Sequence, residues 1–467
     1  MSHTAIPAAD PRATTRSRGA STGTLLVLLT GIFITTLDFF IVNVAIPDIQ
    51  RDLGAGATSI QWVVAGFGLA LGSGLITGGR LGDLFGRRRM YAFGLALFTA
   101  ASLACGVAPS PGTLIASRVV QGVAAALLMP QVLGIINGTY TGERRARAFT
   151  AYGLALGLGG VFGQLIGGAL IQADLFGTGW RSIFLINVPV GLVTLALVRR
   201  AVPAQPRTSG TRLDVPGTVL VTLGLLALVL PLIEGRRLGW PAWTWASLAA
   251  SAVLLAAFAL SQRRIDRRGG APLVAPALFR EPAFRVGSAL ALVYTLAMAS
   301  FFLYLALYLQ QGRGLSALES GLLFVALGAG YFAASTQATT IAARLGRQVL
   351  ALGAAVQATG CLLLIAALGH GIGRLIPGLA LVGAGMGFVL APLSALVLSG
   401  AGDRHAASAA GVLSTAQQVG NALGVALVGI VFYGVAGEVS DAFRTSLLPV
   451  MAFCGATAVL AQFLPKR

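Results

Sequence analysis

Between residues 24 and 464 the chain alternates apolar runs with short polar connections, none longer than about 25 residues. A hydrocarbon layer is crossed by about 20 mostly apolar residues of helix. Fourteen runs meet that requirement: 24–46, 58–78, 91–108, 112–136, 147–171, 181–198, 213–233, 243–261, 285–310, 316–340, 348–369, 373–399, 406–434 and 446–464. Lipid offers no partners to backbone amides, so such runs are helical. The expected class is an all-α integral membrane protein. Charged residues make up 10% of the chain, against about 25% in soluble proteins, and the mean hydropathy is +0.83.

The net charge of +18 would suggest nucleic acid in a soluble protein. Here the basic residues sort by loop instead. The N-terminal tail, the loops after even-numbered spans and the C-terminus carry 25 Lys/Arg: 12, 16, 18, 80, 87–89, 144, 145, 147, 199, 200, 207, 212, 263, 264, 267, 268, 280, 285, 344, 347, 404, 466 and 467. Loops after odd-numbered spans carry seven, Arg51, Arg181, Arg236, Arg237, Arg313, Arg374 and Arg444, and Arg118 lies within a span. That bias places both termini in the cytoplasm and removes the case for a nucleic-acid partner. Residues 1–21 are expected to be a disordered cytoplasmic tail. The apolar run behind it is too long for a signal-peptide core, so it stays as the first span.

Two weak repeats divide the chain. Gly163-Gln164-Leu165-Ile166-Gly167 follows Arg147 by sixteen residues, as Gly420-Asn421-Ala422-Leu423-Gly424 follows Arg404. Residues 81–87 (LGDLFGR) have a worn echo at 341–347 (IAARLGR). The expected organisation is a six-helix bundle at 22–199, linkers with two inserted helices at 200–284, and a second six-helix bundle at 285–467. Repeated bundles are the build of secondary transporters, with a substrate site between the halves.

Asp38 lies inside the first span, where a carboxylate costs about 2.5–3.5 kcal/mol to insert. It lies about 12 Å below one end of its helix and Arg118 about 10 Å below the same face, at 1.5 Å per residue. Opposite charges at matched depth are natural partners. The pair is expected to couple to protons; a static structural ion pair, or an Arg118 that snorkels to the interface, stays open. Three His (His3, His370, His405) fall in the tail or loops, and Cys105, Cys361 and Cys454 have no paired spacing. No metal, cofactor or nucleophile motif is indicated, so the chain is not expected to be an enzyme. A receptor would need a sizeable soluble domain.

Residues 79–89 read Gly79-Arg80-Leu81-Gly82-Asp83-Leu84-Phe85-Gly86-Arg87-Arg88-Arg89. Read alone, this is a tight loop in which Asp83 caps the next helix or pairs with an Arg as a two-state latch. The pattern resembles the signature loop of the major facilitator superfamily, G-x-L-[AG]-D-x-x-G-R-[RK]. Leu37-Asp38-Phe39-Phe40-Ile41-Val42-Asn43-Val44-Ala45-Ile46-Pro47, Gln61-Trp62-Val63-Val64, the Leu114 to Gly122 stretch with Arg118 and Gln121, and Trp180-Arg181-Ser182-Ile183-Phe184-Leu185-Ile186-Asn187-Val188-Pro189-Val190-Gly191 resemble motifs of its fourteen-span drug:proton antiporters (EmrB/QacA type). The likeness covers essentially the whole chain. It implies proton coupling at Asp38 and Arg118, and a cytoplasmic gate at Gly79, Asp83, Gly86, Arg87 and Arg88. It also implies an antiporter motif in span 5, carried by Gly159, Gly163, Gln164, Gly167 and Gly168.

Two departures stand out. Gln164 replaces the proline of that motif and is expected to hydrogen-bond across the interface, in a straighter helix. Span 13 carries Gln417, Gln418 and Asn421 where some relatives carry acids. A cavity drawn from Phe40, Asn43, Trp62, Gln121, Tyr294, Phe302, Gln417 and Asn421 (with Tyr304) suits bulky amphipathic molecules. The expected function is proton-driven export of drug-like or antibiotic compounds by alternating access, from a multi-pass position in the cytoplasmic membrane. The alternative is a proton-coupled importer, or an exporter of a metabolite or siderophore. Small molecules, protons and lipid are the expected partners, a monomer the working state, and the proton gradient, not a cofactor, the energy source. Glu319 reads as a solvated acid at a helix start.

Overall fold

The computed structural model describes residues 22–205, 213–270, 272–399 and 402–465. The tail 1–21, part of the linker 199–212, and Lys466 and Arg467 lie outside them, as do the side chains of Arg404 and His405. Among the described residues fourteen helices long and apolar enough to cross a membrane follow one another, and there is no strand. They are span 1 Thr22–Leu53, span 2 Ala57–Phe85, span 3 Arg87–Gly106, span 4 Pro111–Thr139, span 5 Gly142–Ala173, span 6 Gly179–Ala201, span 7 Val215–Glu234 and span 8 Ala242–Arg267. Span 9 is Pro282–Leu307 with a π turn Tyr308–Gly312, then come span 10 Ala317–Leu345, span 11 Gln348–Ala367, span 12 Leu375–Ser399, span 13 Gly402–Phe432 and span 14 Val439–Ala461.

Packing repeats along with the sequence. Span 1 packs on 5, 2 on 4, 3 on 4 and 3 on 6; in the second half, 9 packs on 13, 10 on 12, 11 on 12 and 11 on 14. The same glycines do the same work in both copies. A Cβ at Gly163 or Gly167 would fall 3.2 Å from Leu37 O or 2.6 Å from Ile41 Cγ1, so span 5 lies against span 1. A Cβ at Gly420 or Gly424 would fall 2.1 Å from Thr295 Oγ1 or 2.2 Å from Leu296 O, so span 13 lies against span 9 in the same way. Small residues at four-residue spacing permit that approach.

The halves meet along two seams, span 2 against 13 and span 5 against 10. Span 7 lies across the first seam, where Leu225, Val229 and Ile233 pack with Ala65, Leu69, Val419, Ala422 and Ala426. Its partner, span 8, buries only Thr244, Ser251 and Gln262 among its described side chains. Ser251 donates to Gly224 O (2.7 Å) and Gln262 to Asp214 (2.6 Å), while the apolar side chains face outward. That inversion is expected where the solvent is lipid.

Two ends of the bundle are distinguished here by their loops. The arginine-rich end holds Asp83 and Arg87; the arginine-poor end holds Arg51 and Arg236. At the arginine-poor end the halves are tied together: Gln310 donates to Val44 O (2.9 Å), Gln311 to Gln50 Oε1 (2.7 Å), and Gln61 to Tyr304 Oη (3.4 Å). Ser316 and Glu319 form a capping box that starts span 10 there, with Glu319 exposed.

Candidate functional site

The two charges placed at matched depth meet. Asp38 and Arg118 form an ion pair with both side chains 0% exposed, so Arg118 does not snorkel. Asp38 Oδ2 accepts from Arg118 Nη1; its Oδ1 accepts from Gln121 Nε2 (3.0 Å) and Asn187 Nδ2 (2.8 Å). Ser102 Oγ in turn accepts from Gln121 (2.8 Å) and Asn187 (3.4 Å), and the Cys105 thiol donates to Gln121 Oε1 (3.4 Å). Gln121, assigned to the cavity from sequence, therefore belongs to the ion-pair network. Asn187 and Ser102 were not singled out in the sequence. Asn187 had a signal in its favour, an amide within the Trp180–Gly191 motif; Ser102 had none.

Arg118 keeps partners of its own. Its Nε donates to Val63 O (3.2 Å), its Nη1 also reaches Gln121 Oε1 (2.8 Å), and the guanidinium carbon lies 4.4 Å from the centroid of the Phe67 ring. A cation over an aromatic face in a dry site gains about 2 kcal/mol. Neutralising Asp38 would leave the guanidinium on these neutral partners, with its charge uncompensated and Nη2 unpaired. Five helices (spans 1, 2, 3, 4 and 6) contribute to this one cluster, which has no exposed member.

The arginine-rich end differs from the sequence expectation in one respect. Residues 79–85 are the last turns of span 2, and only Gly86, at φ 95°, breaks the helix before span 3. Left-handed backbone of that kind favours glycine. Asp83 therefore lies too early to cap span 3, whose N-cap Gly86 receives no side-chain bond. It pairs instead with Arg87 (3.1 Å, i to i+4) at the half-exposed surface. Arg88 donates to Val202 O (3.3 Å) and Arg80 to Pro272 O (2.9 Å), so the motif ties the span 2–3 junction to both linkers. Gly79 faces Pro130.

In span 5, Gly159, Gly163 and Gly167 seat the helix on span 1 along the Leu37–Ile41 side of Asp38, while a Cβ at Gly168 would fall 2.4 Å from Ala317 O on span 10. Gln164 is fully buried, and neither its Nε2 nor its Oε1 has a hydrogen-bond partner. The expected cross-interface bond is absent because the glycines bring the backbones together at this level: a Cβ at Gly321 would fall 2.7 Å from Gln164 O. Each buried polar group left unpaired costs about 1–3 kcal/mol.

The remaining cavity candidates separate. Phe40 contacts Phe302 (5.1 Å between centroids) across the halves, and Phe302 stacks on Phe324 (5.6 Å). Asn43 is buried one turn beyond Phe40, its Oδ1 without a partner. Trp62 donates to Glu234 Oε1 of span 7 (3.2 Å). Tyr294 lies inside the second bundle, donating to Gln357 Oε1 (2.7 Å). Gln417 is half-buried, and Asn421 donates to Gln418 (3.2 Å) beside the span 2–13 seam. Two clefts of about 570 and 450 Å³ open at the arginine-poor end, one between spans 2, 7 and 13, the other between spans 1, 5, 9 and 10.

Residues 28–425 match the sequence profile of the Major Facilitator Superfamily. The chain is 39% identical over 427 residues to a probable actinorhodin transporter of Streptomyces coelicolor, covering 89% of this chain and 73% of that one. It is 38% identical to the puromycin resistance protein of Streptomyces alboniger (88% and 81% covered) and 32% identical to the tetracenomycin C resistance and export protein of Streptomyces glaucescens (92% and 80%). Among solved structures, it superposes on an autoinhibited POT family peptide transporter (TM-score 0.69, 14% identity, 95% and 98% covered) and on a bacterial homologue of the lysosomal transporter Spinster, inward-facing and unoccupied (0.66, 17%, 96% and 97%). Fourteen apolar helices, a repeated bundle and relatives of this kind make the chain a member of the major facilitator superfamily, a multi-pass membrane transporter and not an enzyme.

Proposed function

We propose that the protein exports amphipathic antibiotic-like compounds across the cytoplasmic membrane in exchange for protons, by alternating access of its two bundles. The observation that carries the coupling is the sealed Asp38–Arg118 cluster, the one fully buried ion pair among the described residues, with neutral partners already in place for the arginine. The kinship with antibiotic exporters supports the substrate class. The loop charge bias supports a cytoplasmic arginine-rich end, and with that orientation the structure is closed toward the outside.

In this reading a proton enters from outside when the arginine-poor end opens and neutralises Asp38. Arg118 then rests on Val63 O, Gln121 and the Phe67 ring. The loss of the ion pair loosens span 1 from span 4, and with span 5 seated on span 1 by glycines the change passes to the span 5–10 seam. Substrate leaves, the proton is released inside, and the pair reforms. The protein works as a monomer, because both seams and the cluster are complete within one chain.

Inverted vesicles test this. Addition of puromycin or a cationic dye to vesicles holding a pH gradient is expected to release protons with the native protein and not with Asp38→Asn, at equal amounts of folded protein. Equal release from both would place coupling elsewhere.

A further inference from the structure

Twelve buried side-chain polar atoms lack partners among the described residues, and those of Asn43, Gln164 and Ser320 fall at one junction of spans 1, 5 and 10. Their placement follows from the helix contacts. A Cβ at Gly160 would touch the Phe40 ring at 3.4 Å; Gln164 lies one turn beyond Gly160 on span 5, and Asn43 one turn beyond Phe40 on span 1, both toward the arginine-poor end. Gly321 abuts the Gln164 carbonyl, which brings the neighbouring Ser320 of span 10 to the same level. All three side chains are almost wholly buried, at 3%, 0% and 0% exposure.

What lies on either side gives the junction a direction. One turn toward the arginine-rich end is the aromatic floor of Phe40, Phe302 and Phe324. One turn toward the other end is the 450 Å³ cleft, with Pro47, Gln310 and Ala317 in its walls. Polar groups that no protein atom satisfies are costly, and they are conspicuous here because the contacts around them are otherwise tight. A partner from outside the chain would satisfy them once spans 5 and 10 part.

We propose that Asn43, Gln164 and Ser320 form a substrate-recognition subsite on the exit path, one that reads uncharged hydrogen-bonding groups. Its ligand class is a planar aromatic compound carrying a hydroxyl beside a carbonyl. The ring rests on the aromatic floor, Gln164 supplies both a donor and an acceptor, the Asn43 carbonyl accepts, and Ser320 does either. This rests on the export reading and names which substrates that route selects. A site built to hydrogen-bond a ligand discriminates strongly against analogues that lack the group, because its own polar atoms then stay unpaired.

The test uses proteoliposomes and two probes: 1,4-dihydroxyanthraquinone, which carries hydroxyls beside carbonyls, and tetraphenylphosphonium, which has aromatic rings and no hydrogen-bonding group. Gln164→Leu keeps the volume, and Ser320→Ala removes a single hydroxyl. Gln164→Leu is expected to raise the KM for the quinone about tenfold or more and Ser320→Ala by a smaller factor, both leaving tetraphenylphosphonium transport within about twofold. Unaltered tetraphenylphosphonium transport also reports that each variant folds. An equal change for both probes would make Gln164 a packing or gating residue and overturn the subsite, as would no change for either. Native protein that moves tetraphenylphosphonium but not the quinone overturns the subsite and leaves export standing; native protein that moves neither removes broad drug export and the subsite with it.

Discussion

Asp38 accepts three hydrogen bonds, the one from Arg118 being its ion pair, within a cluster that has no exposed member. Its energetics follow from that isolation. Removing one partner of a buried pair leaves an uncompensated charge and costs about 3–5 kcal/mol. Asp38→Asn is therefore expected to lower thermal stability in detergent by roughly that amount, and adding Arg118→Gln should restore most of it. Transport should stay abolished in both. Recovered antiport in the neutral double variant would make the pair structural. The contrast with Asp83 and Arg87 is instructive, because that pair is partly exposed, and surface pairs contribute about 0–1 kcal/mol.

Among the elements, span 5 links the cluster to the seam between the halves. Its glycines at 159, 163 and 167 face span 1, and Gly168 on the adjacent face meets the Ala317 backbone. A side chain at Gly168 meets a main-chain carbonyl that cannot swing away, so the helices must separate. Gly168→Val is expected to open the arginine-poor end, and a cysteine in place of Gln310 should then react several-fold faster with an external maleimide. Unchanged labelling would show that span 10 accommodates the methyl groups without opening. The absent proline belongs to this scale too. With Gln164 in its place the helix Gly142–Ala173 carries an unsatisfied side-chain amide at that position.

For the whole molecule, the spatial pairing of helices in the first six spans recurs in the last six, and the inserted span 7 covers one of the two seams through Trp62–Glu234 and Thr77–Thr218. Among the described residues, the inserted pair gives the span 5–10 seam no comparable cover. Orientation is open to a direct check. In intact cells a cysteine at Arg236 is expected to react with a membrane-impermeant maleimide and one at Arg89 only after permeabilisation; the reverse pattern would invert the assignment and turn the closed face inward.

Much of this was legible in the chain itself. Helix-length apolar runs, the loop bias of arginine, and two charges at equal depth are local properties, set by transfer into lipid and by rise per residue. They determined the all-helical membrane fold, the count of spans and the pairing of Asp38 with Arg118. Of the two readings of Asp83, pairing with an arginine holds and the helix cap does not, since an apolar-run boundary does not mark where a helix ends and Gly86 does. Asn187 and Ser102 in the cluster, Tyr294 inside the second bundle, and the unpartnered Gln164 depend on which way each helix is turned when packed. That rotation comes from contacts between residues far apart in sequence, so only the tertiary structure decided them.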